Sequence, residues 1–192
     1  MPVTVESPDL REMLRTLQAA SKDAPKAFKL ALNASRRVAK KDSAVQSAKV
    51  YNVGEKRIEK DLKLKPIDGF EFVIIGQKGR RPPSLLQYGA EQNAQGLVVS
   101  VIKSRGRRLI KSGFIATSPN GNRLPFIRFG PKRIMKKGRY EGKLRQPLFA
   151  LYGPSVADML INNEVYNPIH DRFIGLVSEE LTKRISRAIK RG

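Results

Sequence analysis

The residues equipped for acid, base or metal chemistry are few. His170 is the single histidine in 192 residues, and it stands beside Asp171. A His-Asp pair can belong to a metal centre, but such a centre needs about three or four protein ligands, and the chain has no second histidine and no cysteine. Asp171 is read instead as a helix N-cap. A nuclease of the acid-acid-lysine type would draw on Asp68 and Glu71, yet Val73 stands where its lysine is expected. Glu59, Lys60 and Asp61 read as the polar face of a helix. A serine nucleophile requires a base beside it, and no histidine is placed to serve. No phosphate loop, dinucleotide fingerprint or nucleophile elbow occurs, and Gly76-Gln77-Lys78-Gly79 is a turn signal only. No catalytic residue, metal or cofactor is expected, and the chain is read as not an enzyme. The absence of cysteine also excludes a disulfide framework.

What remains is cationic. Lys and Arg number 38 against 17 acids, a formal net charge of +21. Residues 76–146 hold seventeen of the cations and two acids, Glu91 and Glu141, for a net +15, with +5 before and +1 after. One cluster is Lys103, Arg105, Arg107, Arg108 and Lys111; a second is Lys132, Arg133, Lys136, Lys137 and Arg139. Both are candidate contacts to a polyanion or to an acidic protein face. A merely solvated surface is the alternative, but unmatched charges gathered in one region repel one another unless something negative lies close. Phe114, Phe126 and Phe129 sit among these cations. Either they stack on bases, or they fill a sheet core while the basic side chains alternate outward. Neither zinc-finger spacing nor an RNP-type segment accompanies them.

Elements that position these residues follow from periodicity. Ser7-Pro8-Asp9 opens a short helix reaching Ala20, and Asp23-Ala24-Pro25 opens a longer one over 24–48, with Ala27, Phe28, Ala31, Leu32, Ala34 and Val38 as its apolar stripe. A short helical segment over 55–61 is stopped by Lys65-Pro66. The period then changes: strands are predicted over 70–75, 97–102, 114–117, 125–129 and 148–152, with a long connection over 82–96. Residues 156–161 form a turn or two of helix, broken by Asn162-Asn163 and Asn167-Pro168. The last helix carries Phe173, Leu176 or Val177, Leu181, Ile185 and Ile189, with acid early and base late, as the helix dipole favours. The expected fold is α+β: an antiparallel sheet or barrel-like meander flanked by N-terminal helices and a long C-terminal helix. One domain is expected, with a helical part over 1–64, a basic β-rich part over 65–152 and a helical part over 153–192. No signal-peptide pattern opens the chain and no apolar run approaches a bilayer span of about 18–20 residues, so a cytosolic origin without membrane contact is expected.

Three stretches taken in order carry a resemblance: Tyr51-Asn52-Val53 after a basic, Ala-rich helix; Gly113-Phe114-Ile115-Ala116; and Leu151-Tyr152-Gly153-Pro154-Ser155-Val156-Ala157-Asp158-Met159-Leu160. The order resembles the lambda-type minor tail protein Z family of tailed bacteriophages over roughly residues 25–191. The resemblance implies a structural virion protein of the tail neck, assembled in the host cytoplasm. It also implies a hexameric ring that joins the tail tube and its terminator to the head connector and lets DNA pass. The basic loops would then face that DNA or the acidic faces of neighbouring rings. A sequence-independent RNA- or DNA-binding protein is the alternative.

Overall fold

A computed structural model describes residues 24–66, 72–76, 81–118 and 120–189. The expected helix over 7–20, the carboxylates Asp68 and Glu71, and residues 77–79 of the Gly-rich turn lie outside them. The fold is α+β, with small antiparallel sheets and no closed barrel. The chain divides into two compact units: residues 51–54 with 81–155 make a β unit, and the described residues outside those ranges make a helical one.

The helical unit comprises α1 (Ala24–Val50), α2 (Glu55–Asp61), β1 (Leu62–Pro66), β2 (Phe72–Gly76), α3 (Val156–Leu160) and α4 (Asn163–Ile189). Its centre is the pairing of α1 with α4. Val165, Ile169, Phe173, Val177 and Leu181 are all buried and recur every fourth residue on α4. Facing helices pack such ridges into grooves, and α1 has a ridge of the same period made of small residues: Ala31, Ser35, Ala39, Ser43 and Ser47. Small side chains here leave room for large ones on α4. Two of these serines are buried without cost because each returns its hydroxyl to the carbonyl four residues back, Ser35 to Ala31 at 3.1 Å and Ser43 to Ala39 at 2.7 Å. The buried stripe of α1 therefore turns toward its serines, and the expected members Ala34 and Val38 are exposed. Arg172 on α4 closes the pair with an ion pair to Asp42 on α1 at 2.8 Å.

Four sequence expectations are corrected in this unit. Pro168 does not break the last helix. Asn162 caps it, its Oδ1 accepting from the Glu164 amide at 3.1 Å, and Pro168 in the second turn forfeits its own intrahelical bond without ending the helix. Asp171 consequently lies inside the helix and caps nothing. Lys65-Pro66 ends a strand: α2 passes directly into β1, whose Leu62 is buried and whose Lys63 and Lys65 are exposed, a period of two. Asp61 is no part of a polar face, being buried and ion-paired to Arg57 one turn earlier.

In the β unit, β3 (Glu91–Asn93), β4 (Gly96–Val99) and β5 (Arg108–Lys111) form one sheet in that order. A second sheet, ordered β10-β7-β6, is built from β6 (Gly113–Thr117), β7 (Arg123–Arg128) and β10 (Leu148–Ala150). β8 (Arg133–Ile134) pairs with β9 (Leu144–Arg145) beyond it. Every pairing is antiparallel. Residues 82–96 are not a bare connection: they hold a 3-10 turn at Leu85–Tyr88 and strand β3, and bury Pro83, Leu85 and Tyr88.

Candidate docking surface

Tyr88 is the hub of the β unit. Its side chain is fully buried, and its hydroxyl donates to the Pro154 carbonyl at 2.9 Å. The Asn52 side-chain amide donates to the Tyr88 carbonyl at 2.9 Å, while the Asn52 backbone amide donates to Val101 at 3.0 Å. Gly153 lies flat on the Tyr88 ring, where a Cβ would overlap the ring atoms. Its amide donates to the Pro83 carbonyl at 2.9 Å, with the Leu85 amide bonded to Leu151 and Tyr152 bridged to Ser84 on either side. Gly113 is tight as well, since a Cβ there would stand 2.9 Å from the Leu97 Cβ. Leu151, Tyr152, Gly153, Pro154 and Ser155 thus belong to the β unit, whereas Val156, Met159 and Leu160 are buried on α3 in the helical unit. These stretches have structural reasons for their residue types.

All ten cations singled out in the sequence are exposed. Lys103 and Arg105 stand on a 3-10 turn closed by Gly106, and Arg107 is salt-bridged to Glu91 at 2.5 Å. Arg108 and Lys111 are on β5. Lys132 precedes β8, Arg133 is on it, and Lys136, Lys137 and Arg139 lie in the turn that leads to β9. The two clusters therefore sit on different strand systems of one unit, which carries fifteen Lys/Arg against two acids, a net +13.

The second cluster belongs to a two-stranded arm. β7 and β10 pair through Arg128 and Leu148, the ladder continues from the Phe129 amide to Pro147, and it resumes at Arg133–Arg145 and Ile134–Leu144. Residues 128–145 carry eight cations and one acid. Among them Ile134 and Leu144, directly opposite one another, are 65% and 62% exposed; Phe129 at the base is 71% exposed and Phe149 50%. The core-filling expectation for the three phenylalanines fails at Phe129, though Phe114 and Phe126 do pair, with ring centroids 6.2 Å apart. Phe129 lies in the interval between the β7–β10 pairing, which reaches Arg128, and the β8–β9 pairing, which begins at Arg133. Tyr140 is flanked by Arg145 and Arg139, whose guanidinium carbons are 3.8 and 5.8 Å from its ring centroid. Arg145, Tyr140, Ile134 and Leu144 are site residues that strand periodicity passes over, and Phe149 is one that it marks only as part of a strand. Their signal is isolated apolar side chains among cations with no periodic partner.

His170 stacks on Tyr166 at 5.7 Å and lies 3.6 Å from the Asp171 carboxylate, all on α4. Among the described residues no group of three or more His, Asp or Glu side chains is placed to hold a metal ion, and no helix is long and apolar enough to cross a membrane. Comparison with protein-family models, curated proteins and solved structures finds no match for this chain.

Proposed function

We propose that the chain is a non-catalytic structural protein of a tailed-phage virion, a tail-completion or neck component working as a hexameric ring between the tail tube with its terminator and the head connector, with a channel for DNA. The observation that supports this reading best is the arm. A two-stranded ribbon with its cross-strand apolar pair bare to water is marginal alone, and exposed apolar side chains inside a charged rim are the composition of a protein interface before it is covered. Cations around them select an acidic partner and speed its encounter. The resemblance over residues 25–191 supplies the kind of particle.

Negative-stain microscopy of the nuclease-treated protein, alone and mixed with tail tubes of the parent phage, tests it. Sixfold rings, or caps at one tube end, are the expected result; monomers that ignore the tubes overturn it. Tyr140 between two arginines favours a second reading, direct binding of single-stranded nucleic acid, because stacking on an aromatic beside cations is how such strands are held. That reading predicts tight, sequence-independent binding that weakens steeply with salt, and it fails if an oligonucleotide does not bind at 150 mM salt.

A further inference from the structure

The β unit has one feature that neither the arm nor the ring accounts for: a cleft of about 450 Å³ against the face of the β4–β5 hairpin. Its floor is Val99, Val101 and Ile110, and its far wall is the extended backbone over 151–154. Register explains the floor. Val99 stands opposite Arg108 and Leu97 opposite Ile110, so Val99, Arg108 and Ile110 share one face of the hairpin. Arg105 and Arg108 line the same cleft, and no acidic residue does. Arg107, between them, is the arginine that Glu91 neutralises. Among the described residues, Arg105 and Arg108 have no carboxylate within ion-pair distance. β5 pairs with β4 alone among the described strands, leaving its outer edge without a strand.

We propose that this cleft is a peptide-docking site that takes an extended acidic segment of a protein partner, an apolar side chain seated on Val99 and Ile110 and flanking carboxylates held by Arg105 and Arg108. Charge selects the ligand: the cleft has two guanidiniums suited to bidentate carboxylate recognition and nothing to answer a cationic ligand. An aliphatic floor suits an apolar side chain from a protein segment, and the two arginines suit the carboxylates beside it. The same features disfavour a second copy of this unit, whose surface is itself basic. The identity of the ligand as protein rests on the docking reading above.

The test uses the full chain, methyl- and amide-labelled, titrated with an acetylated, amidated octapeptide of alternating Asp and Leu. Saturable shifts centred on residues 99–110 and 151–154 are expected. Arg105→Gln with Arg108→Gln should weaken binding at least tenfold, the charge-matched pair Lys132→Gln with Lys136→Gln less than threefold, and an Asp-Ser octapeptide should not bind. Equal losses in the two double variants, shifts centred on the arm, or equal binding of the Asp-Ser peptide each overturn the cleft. So does displacement of the peptide by a thymidine oligonucleotide at equal concentration, which would assign the arginines to phosphate. Rings without peptide binding refute only the cleft, and monomers that bind the peptide refute only the ring.

Discussion

Gly153 shows how one residue type is dictated from far along the chain. Its Cα lies against the ring of Tyr88, whose hydroxyl is fixed on Pro154 at 2.9 Å, so the ring cannot retreat without breaking that bond. Gly153→Ala forces a fully buried ring to move, an overpacking cost of about 1–3 kcal/mol. Tyr88→Phe keeps the ring and leaves the Pro154 carbonyl unanswered, at about 1 kcal/mol. Thermal denaturation should therefore show Gly153→Ala melting below Tyr88→Phe, with both below the parent; the reverse order would mean that the segment over 151–154 moves freely and the hub does not exist. The sequence singles out Tyr-Gly-Pro as distinctive but cannot say why. The reason is a ring 65 positions earlier, and no local period reports a contact of that range. The ten cations, by contrast, were legible as exposed, because a desolvated guanidinium or ammonium without a partner is too costly to bury.

At the scale of the element, legibility depended on side-chain type. Phe173, Val177 and Leu181 announce the buried face of α4, because large apolar residues at helical spacing have few other uses. The matching face of α1 is hidden by chemistry: Ser35, Ser43 and Ser47 read as polar, yet they are buried, two of them through hydroxyls that return to the helix's own carbonyls. β1 is missed for a related reason, since Leu-Lys-Leu-Lys is too short to separate a period of two from the end of a helix. The ridge model makes a sharp demand on Ser43, fully buried opposite α4. Ser43→Leu should lower stability by about 1–3 kcal/mol through overpacking, although leucine is the better helix former. Ser43→Ala should be close to neutral, because it removes only a local bond and keeps the volume small. Chemical denaturation distinguishes them, and a stabilised Ser43→Leu would show that the two helices do not meet along these ridges.

For the whole molecule the governing quantity is the distribution of charge. The β unit holds a net +13 of the chain's +21, and among the described residues only one of its two acids is salt-bridged, Glu91 to Arg107. Like charges so gathered raise the free energy of the folded unit, and salt relieves that repulsion because its screening length falls from about 30 Å at 0.01 M to about 10 Å at 0.1 M. The few exposed ion pairs that salt would weaken are worth about 0–1 kcal/mol each, so relief outweighs loss. Melting temperature should therefore rise as sodium chloride goes from about 10 to 300 mM, within the range where screening still changes. Neutralising Lys132, Lys136 and Lys137 to Gln should raise the low-salt value and flatten the slope. Poly-glutamate at low salt should mimic added salt at far lower concentration, since a polyanion answers many cations at once. A melting temperature that falls with salt would mean that the cations are already matched within the chain, and the basic surface would then have no need of an acidic partner.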